Sequence, residues 1–190
     1  RKTDVDYINR YCSGRRGQSP LLNRSGKRWK LSFPFEESVK IREIPIREQT
    51  VLSVDLGINS ACACTVKTSE GTILGREFLR LPKEEDSLIH ALNRIKKAQQ
   101  HGVRSVKGLW AVADGINKDI AVKTAHFIDE VSARYTCDTV VFEHLDVHGK
   151  KKGSKKQRLH LWKCRYVQKM CLIRAHRRGM RYTTVNARNT

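Results

Sequence analysis

One short apolar run that ends in a carboxylate constrains this chain more than any other feature. Val51, Leu52 and Val54 are apolar and two of them are β-branched, so 51–56 reads as a buried strand. Asp55 stands at the end of the run and Gly57 follows, where a side chain would crowd an approaching backbone or ligand. A carboxylate on such a strand is costly to bury unless it is paired or holds a cation. The plainer alternative is that Asp55 caps a turn through its own backbone. A second run of the same kind follows: Asp138, Thr139, Val140, Val141 and Phe142 read as a strand, and it too ends in a carboxylate, Glu143.

The chain has 190 residues, with 38 Lys and Arg against 19 Asp and Glu, a formal charge of +19. That is room for one domain and an appendage. The charge points to a polyanion, most simply nucleic acid. An anionic membrane surface is the rival, but no basic helix with an aromatic apolar face is evident, and no apolar run reaches spanning length. No apolar core follows the first residues, so no signal peptide is expected. Cys12, Cys62, Cys64, Cys137, Cys164 and Cys171 form no Cys-x-x-Cys pair, which gives zinc no support and fits reduced thiols in the cytoplasm. Cys62 and Cys64 would share one strand face as small core residues.

Along the chain, 1–27 is basic and turn-rich, with a short helix expected at 7–11. The alternation in 28–33 predicts a half-buried strand, and 39–44 its return strand, closed by Pro45. Residues 1–50 thus read as a basic arm and hairpin, and 51–190 as the main domain. Strands are expected at 51–56, 61–66 and 72–81 in an antiparallel meander. Asp86 and Ser87 would cap a helix that His101 and Gly102 stop. A second helix over 106–135 would bury Val112, Ile116, Ile120, Phe127 and Val131. After the strand that ends in Glu143 comes a lysine-rich loop. A helix over 157–178, stopped by Gly179, and a last strand over 180–185 follow.

Three antiparallel strands followed by strands reached through helical crossovers make a mixed α/β sheet whose order resembles the ribonuclease H-like fold. The first and fourth strands would then be neighbours, bringing Asp55 and Glu143 together. Two close carboxylates repel unless a cation separates them. Oxygen ligands suit Mg²⁺, with Mn²⁺ as a substitute. Ions in such a pair of carboxylates can hydrolyse a phosphodiester. Lys150, Lys151, Lys152, Lys155, Lys156, Arg158 and Arg165 would hold the phosphate backbone from beyond Glu143. Arg15, Arg16, Lys27 and Arg28 would do so from the basic arm. Trp162 and Tyr166 could stack on bases but at helical spacing also suit a core.

Here the sequence resembles a family. Residues 51–59 look like the first RuvC motif of the TnpB proteins and type V CRISPR effector nucleases. Residues 140–145 look like the second, with Glu143 as the metal ligand. Residues 169–185, through Ala175, Gly179, Tyr182 and Val185, resemble the segment before the family's zinc ribbon, and 186–190 the approach to it. The 29–44 hairpin resembles the end of the wedge domain. The resemblance spans about 28–190. It implies an RNA-guided, Mg²⁺-dependent DNA endonuclease of prokaryotic or phage origin, with guide RNA and target DNA as partners. It also implies a third catalytic Asp and a zinc ribbon beyond this stretch. The chain would then be a partial one that binds no zinc, needs the rest of its parent polypeptide and does not cut alone. Two other readings stay open. One is an RNA-guided DNA-binding module without cleavage. The other is an actin- or sugar-kinase-like ATPase, in which Asp55 and Gly57 would serve Mg-ATP; no second Gly-rich loop supports it.

Overall fold

The computed structural model describes residues 2–13, 15–57, 61–144 and 163–186, with only the backbone of Tyr11 and Ser25. The chain divides into two compact units, Arg1–Lys40 and Ile41–Thr190.

The first unit holds helix α1 (Lys2–Tyr11) and strands β1 (Arg16–Gly17), β2 (Leu21–Ser25), β3 (Arg28–Ser32) and β4 (Phe35–Glu36). The helix begins well before the expected 7–11. The hairpin also differs from expectation. β3 pairs antiparallel with β2, not with a strand at 39–44, which is not extended into a sheet. Gly26, at φ 59°, lets the chain reverse between Ser25 and Arg28, whereas Pro34 lacks the N–H that a continuing strand would need. The half-buried reading of β3 fails as well: Trp29 is 63% and Leu31 52% exposed. A two-stranded hairpin is too thin to bury a face by itself. Arg24 covers part of the Trp29 ring, 5.5 Å from its centroid.

The second unit is built on a five-stranded sheet of β5 (Thr50–Asp55), β6 (Cys62–Thr68), β7 (Ile73–Leu79), β8 (Thr139–His144) and β9 (Arg181–Asn186). Its order is β7-β6-β5-β8-β9. The first three strands pair antiparallel, and β8 and β9 join parallel. Three helices are described: α2 (Pro82–Gln100), α3 (Lys107–Arg134) and α4 (Cys164–Arg177). The expected helix over 157–178 is seen from Cys164 onward, and its earlier part lies outside the described residues. α2 starts at Pro82 rather than at an Asp86 or Ser87 cap. Proline at the first turn loses no needed hydrogen bond, and Glu84 and Glu85 face the positive end of the helix.

One face of the sheet is buried. Leu52, Val54, Cys62, Cys64, Val66, Val140 and Phe142 pack with Ile128 and Val131 of α3 and Val167 and Cys171 of α4. Phe142 also meets the Tyr182 ring at 5.4 Å. The expected stripe of α3 is seen in part: Val131 is buried and Ile116, Ile120 and Phe127 pack half-buried against the cores, but Val112 is exposed, and the most buried line runs through Ala113, Asn117, Ala121, Thr124, Ala125 and Ile128. Small side chains let α3 approach its neighbours closely, and they carry little hydrophobic signal. Leu88, Leu92 and Ile95 of α2 form a second core against Ala113, Leu109 and Trp110 of α3. The buried cysteines are free. Burial pushes the thiols of Cys137 up to about 11 and Cys171 up to about 12, so both stay protonated and inert.

The register of the sheet is fixed at the end where β5 and β8 begin. The Thr50 amide donates to the Asp138 carboxylate at 3.0 Å, and the Asp138 amide donates to the Thr50 carbonyl at 2.8 Å. Arg181 N–H donates to the Asp138 carbonyl at 2.8 Å, which ties β9 to the same point. Arg42 pairs with Asp138 at 3.4 Å and donates to the Cys137 carbonyl. The buried Thr139 hydroxyl donates to Gln49, which donates in turn to the Ile44 carbonyl. Asp138→Ala should cost about 2–3 kcal/mol in chemical unfolding, because it strips a charged acceptor from a nearly buried amide. A loss below ~0.5 kcal/mol would show that Asp138 does not set this register.

A second clamp joins α3 to α4. Asp129 accepts from Arg178 at 2.7 Å and from Arg174 at 3.3 Å. Burial works to raise the Asp129 carboxyl, but the two guanidinium groups outweigh it and hold it below its usual value. A depressed folded value means the stabilisation is present above the unfolded value of about 3.9. It is lost as pH falls through the folded value. Asp129→Asn should therefore be less stable than wild type at neutral pH, with the gap closing in acid. A gap that is constant from neutral pH into acid would contradict this.

Candidate active site

β5 and β8 run parallel in the register Leu52 to Val140, Ser53 to Val141 and Val54 to Phe142. The next step along both strands is Asp55 and Glu143. Because side chains alternate, the burial of Val54 and Phe142 on the helix-covered face sends Asp55 and Glu143 to the other face. Both lie five residues beyond the Thr50–Asp138 anchor, about 17 Å along each strand. The anchor at one end of the pair thus sets the carboxylates level at the other.

The face they occupy is open. Val51, Ser53, Ala63, Thr65 and Val141 on it are half-buried, and among the described residues α2, α3 and α4 all lie on the opposite side. Asp55 is exposed and Glu143 half-buried. Ala63, small and half-buried, sits opposite Asp55 on β6, and Val185 sits opposite Glu143 on β9. Neither carboxylate has an ion-pair partner among the described residues, although the chain carries twice as many Lys and Arg as acids. Other acids are paired: Asp114 with Lys163, Glu84 with Lys123, Glu77 with Arg134.

The position of Glu143 is held from the helix side. The Gln168 side chain of α4 donates to the Glu143 carbonyl at 3.0 Å. The sequence reading missed Gln168, as it missed Asp138, Gln49 and Arg42. A glutamine on a helix has no motif, and only the crossover brings it over the strand end. The nearest cavity, about 60 Å³, is lined by Leu56, Gly57, Leu88, Asn117, Ile120 and Val167 on the helix side. It has room for a few waters and not for a nucleotide. Among the described residues nothing encloses the two carboxylates, an arrangement that suits a long polymer more than a small metabolite.

The expected basic contacts divide. Arg15, paired with Glu37 at 2.9 Å, and Arg16, Lys27 and Arg28 are exposed in the first unit. Arg165 is exposed on α4, one turn before Gln168. Lys150, Lys151, Lys152, Lys155, Lys156 and Arg158 lie outside the described residues, as does Trp162. Tyr166 is 37% exposed. No described helix is long and apolar enough to cross a membrane.

No known family model matches the sequence. A TnpB-like protein of Aquifex aeolicus (strain VF5) is 29% identical over 178 residues, covering 80% of this chain and 57% of that protein. The structure aligns with a Cas12f1 in complex with sgRNA and target DNA, at a TM-score of 0.57 and 15% identity over 88% of this chain and 42% of the other. A CRISPR-Cas12f ternary complex aligns at 0.59 and 14% identity over 100% of this chain and 39% of the other. The chain spans a little over half the length of its curated relative. Sequence and fold point the same way: the chain is similar in sequence to a TnpB-like protein, and its fold is similar to that of the Cas12f effectors.

Proposed function

We propose that this chain carries the catalytic centre of a RuvC-type, RNA-guided DNA endonuclease, in which Asp55 and Glu143 hold divalent metal. The supporting observation is that two unpaired carboxylates come level on adjoining parallel strands at an open sheet face. The donor set fits Mg²⁺ or Mn²⁺: it is all oxygen, and like charges at that spacing favour a cation between them. Among the described residues no group of three or more His, Cys, Asp or Glu forms a metal site. The remaining ligands would be water, the substrate phosphate and a further carboxylate of the parent polypeptide.

Asp55 and Glu143 would hold the metal, whose chemistry there would be activation of a water and stabilisation of the leaving oxygen of the phosphodiester. The chain's own residues orient that chemistry. Asp55 and Glu143 fix where the charge sits, and Gln168 and the Asp138 anchor keep the two strand ends level. The phosphate would approach from the open face, drawn by the exposed cations. The target would be selected by guide-RNA pairing, as the likeness to Cas12f suggests, with bulk affinity from phosphate contacts.

Mg²⁺ should raise the melting temperature of the chain, by on the order of 1 kcal/mol of stability at ten times its Kd. Asp55→Asn and Glu143→Gln should abolish that rise. Without metal each variant should match or exceed wild type by about 0.2–1 kcal/mol, since like charges no longer face each other. Equal stabilisation of all three proteins by Mg²⁺ would remove these residues as ligands.

In the guide-loaded parent protein, Asp55→Ala or Glu143→Ala should lower DNA cleavage by about 10³-fold or more while binding persists. Cleavage that survives both substitutions would overturn the reading. So would ATP hydrolysis that needs no nucleic acid.

A further inference from the structure

The cations of this protein fall into two classes. Lys123, Lys163, Arg134, Arg174 and Arg178 are engaged with carboxylates and tie helices to one another or to the sheet. A second set, around the end of α2 and the turn into α3, has no such partner. Residues 87–113 contain Arg94, Lys96, Lys97, Arg104 and Lys107, two histidines and no acid. All five cations are exposed, and none has an ion pair among the described residues. Lys97, in the last turn, is accounted for by the helix dipole; Arg94, Arg104 and Lys107 lie outside the reach of that effect.

Their placement on α2 is ordered. Leu88, Ala91, Leu92 and Ile95 face the core shared with α3. The opposite side presents His90, Asn93, Arg94, Lys96, Lys97 and Gln100 around one shallow groove. At 3.6 residues per turn, Arg94 and Lys96 stand about 160° apart around the axis, with His90, Asn93 and Lys97 between them. The stretch from His90 to Gln100 is about 15 Å long. A helix with side chains is about 10–12 Å across, which matches a B-DNA major groove of about 12 Å. The A-form RNA major groove is too deep and narrow for it.

We propose that the exposed face of α2 is a docking surface for double-stranded DNA. The helix ridge lies along the major groove, with Arg94 and Lys96 reaching the phosphates on either side and Lys97 lying between them. This rests on the nucleic-acid reading given above and adds a duplex contact separate from the carboxylate pair. Ile89 is the one large apolar side chain exposed on α2 beside these cations, too little for an apolar protein interface, since the apolar stripe of α2 is buried against α3.

The test is anisotropy with a random-sequence DNA duplex and an RNA duplex of equal length, across a salt series. The triple variant Arg94→Ala, Lys96→Ala, Lys97→Ala should keep its fold, since alanine favours helix. It should lose at least about tenfold in DNA affinity at 0.1 M salt, and the log–log salt slope should fall by about 2–3. A control triple, Arg47→Ala, Lys67→Ala, Lys118→Ala, removes the same charge from exposed positions elsewhere and should change DNA affinity far less. Equal losses in both triples, or a loss confined to the RNA duplex, would overturn the surface. Unaltered DNA binding by the first triple would overturn it while leaving the nuclease reading intact. Wild type that binds neither duplex would overturn both.

Discussion

The parallel pairing of β5 with β8 is the constraint on which the rest of the second unit depends. Parallel pairs need a long crossover, and here α2 and α3 supply it. Asp138 fastens the near end of the pair by taking the Thr50 amide and the Arg42 guanidinium together. A one-residue slip would turn every side chain of β5 to the other face. Asp55 would then enter the core beside Phe142, and Leu52 and Val54 would meet solvent. The burial pattern of the strand and the exposure of its carboxylate are therefore a single fact, and the level placement of Asp55 and Glu143 follows from the hydrophobic pattern.

Much of this was readable from residue order. The two strands that end in Asp55 and Glu143 carry dense β-branched apolar runs, and the element order leaves them few places other than side by side. What escaped the sequence has physical causes. The buried face of α3 is built from Ala, Thr and Asn, so a search for large apolar residues drifts onto Val112, which is exposed. The hairpin partner of β3 was sought downstream, although a left-handed glycine at Gly26 made the upstream turn easier. Gln168 and Gln49 act through single hydrogen bonds across long sequence separations, which no local pattern encodes. Of the expected basic contacts, the lysine-rich stretch lies outside the described residues.

Charge in this molecule is partitioned rather than spread. Acids such as Asp129, Asp114 and Glu77 are placed where they clamp elements together, each answering a Lys or Arg. Surface pairs of this kind contribute little one at a time. Their larger consequence is to use up cations near the core. The surplus is left on the tip of α2 and the turn into α3, where Arg94, Lys96, Lys97, Arg104 and Lys107 have no ion pair among the described residues. Asp55 and Glu143 are the reverse case, acids with no ion-pair partner among the described residues of a strongly basic chain.

That separation has a kinetic consequence for a polymer substrate. Cations remote from the reacting phosphate bind ground state and transition state alike, so they raise local substrate concentration and on-rate without lowering the chemical barrier. In the proposed reaction the carboxylate pair would act on the barrier itself, through the metal it is proposed to hold. Loss of a remote cation should therefore appear in KM and in its salt dependence, and loss of a carboxylate in kcat. The two effects should combine independently because the parts share no ion pair and lie on different elements. If the proposed DNA contact holds, such a chain would tighten its grip by adding surface charge without disturbing the register that sets its two acids level.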